Sequence, residues 1–288
     1  MVLTKDCTKV GTGLVPMVDL LSGTYAGFTG GHYGNGQNDR PSMFDEVVRT
    51  ATASIAPKSN GKIDGVFIGD DLGNSIATGA ARVPEWAATL RSDVRITNCS
   101  NAAQHLEQWA CMSGNAPGDG TWTNGVVTKL TNLGRSPADI QFGLFAAMAS
   151  LGSYFTLTSP EDRIEYFILR MKNVMRKAKQ YLPNIKMISV FGGHEYLGYY
   201  GGEPQGYDGD FGMQQSILQQ DSTMALTFWG RSSWADGLTP RTYDGLAWPC
   251  DCFGPGGHLA DGIGNVHLIR SVVLPWLQSD PAVAGLRR

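Results

Sequence analysis

Apolar positions along the chain fall into short unbroken runs separated by segments of helical spacing, the pattern of strands buried on both faces alternating with amphipathic helices. KIDGVFIG (62–69) is the first strand and stops at Asp70, Asp71 and Gly73. VPEWAATLR (83–91) predicts a helix with Pro84 in its first turn, and VRIT (94–97) a short strand. AAQHLEQWACM (102–112) and WTNGVVTKLTNLG (122–134) predict two more helices, the second with Gly134 as its C-cap, before a buried strand IQFGLF (140–145). The strongest helical signal covers 160–182. Ser159 can cap it, Pro160 suits its first turn, Glu161 and Asp162 favour its dipole, and Ile164, Ile168, Met171, Met175, Ala178 and Leu182 recur at helical spacing.

KMISVFGG (186–193) supplies a further strand and NVHLIRSVVLPWL (265–277) a terminal helix. This alternation predicts a three-layer α/β/α sandwich around a central parallel sheet, with functional groups on loops at the carboxyl ends of the strands. Residues 1–45 are rich in glycine and read as loop, and 192–260 read as long aromatic loops over the same end. No repeat and no linker divides the chain, so residues 1–288 are read as one domain.

Composition narrows the function. Charged residues make up 17% of the chain, below the roughly 25% of an average soluble domain, so the surface must be largely neutral and polar. A formal charge of −3 offers no footprint for nucleic acid, and the basic run from Arg170 to Lys179 falls on a predicted helix face. No stretch approaches the ~18 apolar residues of a membrane span. The N-terminal MVLTKDCTKVGTG lacks the charged and apolar regions of a signal peptide, which leaves a cytosolic chain or a leader outside this sequence; the extracellular location is the favoured one. Five cysteines, at 7, 99, 111, 250 and 252, match no zinc or haem spacing. Cys250 and Cys252 are too close in sequence for an unstrained mutual bridge, so any disulfide should join distant positions; Cys99 with Cys111 is one candidate pair, and buried free thiols are the alternative.

The segments GTYAGFTGGHYGNGQNDRP, GKIDGVFIGDD, NCSNAAQHLEQWA, IQFGLF, EYLGYYGGEPQGYDGDFGMQQSILQQ, WADGLTPRTYDGLAWPCDCF and GGHLADGIGNVHLIRSVV, in this order and spacing, resemble the SGNH (GDSL-like) hydrolases, in a little-characterised bacterial branch. That resemblance implies a flavodoxin-like sandwich, no cofactor and a cleft built from four blocks. A serine ends the first strand, a glycine and an asparagine stabilise the oxyanion, and a late Asp-x-x-His supplies the base.

Matched to those blocks, this chain is depleted. Asp71 stands where the serine belongs, Ala102 and Ala103 where relatives carry glycine, and Ala149 near the asparagine position. His258 survives, but Pro255 stands three residues before it, leaving Asp251 as the nearest substitute partner. The resemblance therefore implies a catalytically degenerate protein reused for self-assembly or for binding a ligand in the old cleft. The alternative is an active esterase, or a carbohydrate acyl-esterase, in which His258 works with Ser75 or with water activated beside Asp71. For Ser75 the competing role is capping, with Asn74 and Thr78, of the helix after the first strand.

Asp70, Asp71 and His258 also invite a metal site, but no compact ligand motif supports one, and an Asp71–His258 ion pair accounts for them. Asp70, His194, Glu195 and Tyr196 are expected to line the cleft as ligand contacts, whereas His105 and His267 read as structural helix residues. Tyr196, Tyr199, Tyr200, Tyr207, Trp229, Trp234 and Trp248 admit three uses: stacking on carbohydrate, packing against a second subunit to give a homo-oligomer or polymer, or covering the domain's own core.

Overall fold

The structure, a computed structural model, describes residues 4–21, 23–30, 45–112, 119–148, 156–192 and 195–288. Its centre is a five-stranded, all-parallel sheet. A two-stranded hairpin near the N-terminus supplies β1 (Thr24–Tyr25) and β2 (Phe28–Thr29). The sheet comprises β3 (Ile63–Gly69), β4 (Val94–Asn98), β5 (Ile140–Ala146), β6 (Met187–Val190) and β7 (Thr227–Trp229), in the order β4-β3-β5-β6-β7. Every residue of β3, β5, β6 and β7 is buried, as expected of strands covered by helices on both faces.

The first helix, α1 (Asp45–Ala53), precedes the sheet. Helices α2 (Asp71–Arg82) and α3 (Pro84–Thr89) connect β3 to β4. The predicted helix 102–112 contracts to α4 (Leu106–Trp109), and 122–134 becomes a π-helical segment, Thr121–Thr128, running into α5 (Lys129–Asn132). Gly134 takes up positive φ after α5, as a C-terminal cap requires. Helix α6 (Pro160–Tyr181) matches its sequence signal, and the Ser159 side chain accepts from the amide of Asp162. The terminal helical run is α8 (Gly264–Leu268), a π-helical turn Ile269–Val273 and α9 (Leu274–Ser279).

The expectation that 192–260 is all loop is corrected: it contains α7 (Gln205–Leu218) and the edge strand β7. Helix α7, with the sequence QGYDGDFGMQQSIL, carries little periodicity because twelve of its fourteen residues are buried, so no polar stripe marks a solvent face. It packs against α6, where Arg163 and Asp208 form a buried ion pair.

The seven aromatic side chains singled out in the sequence are all at most 5% exposed. They pack into the domain's own core, Tyr200 with a side that also borders a cavity at the carboxyl end of the sheet. The basic run on α6 is spread over local partners: Arg170 lies on the Tyr166 ring, Lys177 pairs with Asp119 and Arg176 with Asp221.

A disulfide joins Cys7 to Cys250, far apart in sequence; Cys99 and Cys111 are free thiols, so the suggested pairing of those two does not form. No helix among the described residues is long and apolar enough to cross a membrane.

Candidate functional site

Strand β3 lies between β4 and β5, so the chain leaves it to one side and later returns on the other. Such a reversal opens a crevice at the carboxyl ends of the strands. Loops following β3, β4, β5 and β6 converge there, around a cavity of about 60 Å³ whose walls include Asp70, Asp71, His105, Met148, Tyr200 and His258.

The turn after β3 is tight. Gly69 sits at φ +133, and its amide neighbour Asp70 donates to the carbonyl of Ala146 on β5. The consecutive aspartates then diverge. Asp70 is buried and caps α2, its carboxylate accepting from the amides of Leu72 and Met148, the latter just past β5. Burial pushes the Asp70 carboxyl up, against the opposing pull of His105 and of these two amides. Asp71, the first residue of α2, is partly exposed to the cavity, and its Oδ2 lies 2.7 Å from His258 Nδ1. That contact with Asp71 raises the imidazole pKa of His258, with burial opposing.

A second histidine faces the same cavity. His105 Nδ1 is 4.0 Å from Asp70 Oδ2, and Asp70 is the main cause of its raised pKa. Each aspartate of the Asp70-Asp71 pair thus faces its own imidazole. Expected as a structural helix residue, His105 instead caps no helix with its side chain and contributes to the cleft wall. Only its position, seven residues beyond the carboxyl end of β4, marked it in advance.

Glu195, just past β6, is 1% exposed, and its Oε2 has no hydrogen-bond partner among the described residues. Desolvation, with further repulsion from Asp70 and Asp71, lifts its carboxyl pKa to about 8, so it is neutral at pH 7. Its folded pKa thus lies above the ordinary carboxylate value, and between about pH 4.5 and 8 the unfolded chain holds fewer protons at this site than the folded one. Stability contributed here therefore falls as pH rises through that window. Replacing Glu195 by Gln should flatten the fall, with a gain at pH 8 relative to pH 5 on the order of a few kcal/mol; urea unfolding of both proteins at the two pH values checks this, and equal slopes would refute it.

The other expected site residues are not brought together. Ser75 is buried in the second turn of α2 and does not line the cavity; the cap it was weighed for is supplied by Asp70. Asp251 is exposed in the turn Cys250–Cys252, and His258 is held by Asp71 instead. Tyr196 is buried edge-on against Tyr199, away from the cavity walls. Ala102 and Ala103 are exposed. His194 and Ala149 lie outside the described residues. Among the described residues, no group of three or more His, Cys, Asp or Glu side chains is arranged to hold a metal ion. No protein-family model, curated protein or solved structure matches this chain.

Proposed function

We propose that this chain is an SGNH-type protein that has lost acyl-serine chemistry and holds a small polar ligand in the former cleft, without a cofactor. The observation behind this reading is the composition of the cavity wall, where Asp71 of the turn after β3 pairs with His258 and, among the described residues, no serine, threonine or cysteine takes part. A carboxylate has no proton to surrender to histidine, and its attack on an ester would give a reactive anhydride rather than a stable acyl-enzyme. Self-assembly, the other use weighed for a degenerate chain, drew on aromatic side chains that are buried, so the cleft is the better-supported site.

His105 Nδ1, 4.0 Å from the Asp70 carboxylate on the cavity wall, makes no hydrogen bond among the described residues and is a polar atom of the kind that a ligand or water satisfies. Glycerol and short-chain carboxylic acids, titrated against the imidazole resonances of His105 and His258, should shift both together; shifts in neither would count against a binding cleft.

A second reading has one specific support. His258 is oriented through Nδ1 by Asp71, and its ring is more than half exposed, an arrangement in which Nε2 can take a proton from water. Hydrolysis of short-chain nitrophenyl esters separates the two. On the binding reading the wild type does not exceed the buffer rate, Ser75→Ala changes nothing, and Asp71→Ser gains no activity. Turnover that disappears in His258→Ala would overturn it in favour of water activation.

A further inference from the structure

What a carboxylate at this turn can attack productively is a saturated carbon. Attack there forms an ordinary ester, which water can open, whereas attack on an acyl carbon forms an anhydride. We propose that Asp71 and His258 are a covalent hydrolytic pair for small epoxides, opening the three-membered ring to a vicinal diol through an alkyl ester on Asp71. This rests on the preceding section only in taking Asp71, and no hydroxyl, as the reactive group of the cleft; it is independent of ancestry.

Three observations carry it. Asp71 opens into the cavity with Oδ2 held by His258, while Oδ1 forms no hydrogen bond among the described residues. The cavity is small, about 60 Å³, and Met148, Leu197, Tyr200, Gly202, Gly256 and Gly257 make most of its wall, which limits an occupant to a compact molecule with its polar atoms toward the aspartates and histidines and its carbon toward the remaining wall. The departing atom must also be accommodated. An alkyl halide would expel an anion beside Asp70, which is buried at the same cavity. The oxygen of an epoxide stays tethered to the product and needs only a proton.

The steps balance with water as the sole co-reactant. Asp71 Oδ1 bonds to a ring carbon, the carbon–oxygen bond of the ring breaks, and the alkoxide takes the proton of the His258 imidazolium. In the resting cleft the Asp71 carboxylate favours that imidazolium, and esterification cancels the charge responsible. Neutral His258 then accepts a proton from water as the hydroxide adds to Asp71 Cγ. Collapse of the tetrahedral adduct expels the diol oxygen, which takes that proton from His258, and the proton left on the Asp71 carboxyl passes to His258, restoring the carboxylate–imidazolium pair. The net reaction is epoxide plus water to diol.

Propylene oxide is a suitable probe for the intact protein, with the diol product followed by chromatography. His258→Gln should lose diol formation and accumulate a mass increase of one epoxide, mapped by peptide sequencing to Asp71. Solvent can protonate the opened ring in this variant, but nothing replaces the base for ester hydrolysis. Asp71→Asn should lose both the diol and the adduct. Single turnover of the wild type in water enriched in heavy oxygen should place the label in the Asp71 carboxylate, a readout that does not depend on either variant folding. Unlabelled Asp71 after turnover, no diol above the buffer rate, or alkylation spread over exposed carboxylates such as Asp251 and Asp261 would each overturn the proposal. Ester turnover dependent on His258 would instead sink the acyl-inactive reading, so the two failures are distinguishable.

Discussion

Gly69→Ala is expected to destabilise the protein by about 4 kcal/mol or more, enough to abolish soluble folded material for a domain of ordinary marginal stability. A Cβ at this position would stand 1.8 Å from the Ala146 carbonyl oxygen, a backbone atom that is itself bonded to the Asp70 amide. The strand cannot retreat, because Gly69 and Ala146 are the last paired positions of β3 and β5. The left-handed φ of +133 adds a backbone penalty that only glycine escapes. Urea denaturation, or the soluble yield if unfolding is complete, measures the effect. A variant that unfolds with the wild type would mean that the β3–β5 turn does not have this geometry, and the placement of Asp70 and Asp71 would fall with it.

Arg163→Met is expected to cost about 3–5 kcal/mol, because it removes one member of a buried ion pair and leaves the other unneutralised. Arg163 on α6 donates to the Asp208 carboxylate on α7, with both side chains less than a tenth exposed. Burial already pushes the Asp208 carboxyl above its ordinary range, opposed chiefly by Arg163. Without the guanidinium the folded carboxyl rises further while the unfolded value stays put. The unfolded chain then loses its proton first over a wider window, so the deficit should grow as pH rises through the raised range in which the wild-type Asp208 carboxyl ionises. Chemical unfolding at pH 5 and pH 8 tests the sign. The paired replacement Arg163→Met with Asp208→Leu should recover most of the loss, since two apolar side chains impose no charge on the interface. Equal stability of the single variant and the wild type would show that the α6–α7 interface admits water.

Both effects lie in parts of the chain where sequence and structure differ in what they reveal. The ion pair joins helices of opposite legibility. Helix α6 announced itself through Ser159, Pro160 and a regular apolar stripe, because one of its faces meets solvent. Helix α7 is buried all round, and a periodicity signal needs a polar side to contrast with an apolar one. Strand β7 escaped notice for a related reason: three buried residues, Thr227–Trp229, are too short for a pattern to emerge from aromatic surroundings.

At the cleft the same division holds. Asp70, Asp71 and His258 are legible as candidates in the sequence, and so is an Asp71–His258 ion pair. The exclusion of Ser75 is not, because it depends on where α2 begins. Asp70 takes the cap, Asp71 becomes the first helical residue, and Ser75 is carried one turn inward into the packing. His105 joins the site only because the chain beyond β4 folds back toward Asp70, with the amide of Leu106 donating to the carbonyl of Met148.

The linear chain, then, determined the alternation of strands and helices, the parallel sheet and the acidic turn after β3, since each is written in local burial patterns and in residues adjacent in sequence. Tertiary structure alone decided that the seven aromatic side chains face inward, that Cys7 meets Cys250, that Glu195 is buried and neutral, and that two imidazoles share one cavity. These outcomes depend on distances between segments far apart along the chain and on the water their packing excludes, and neither quantity has a local signature.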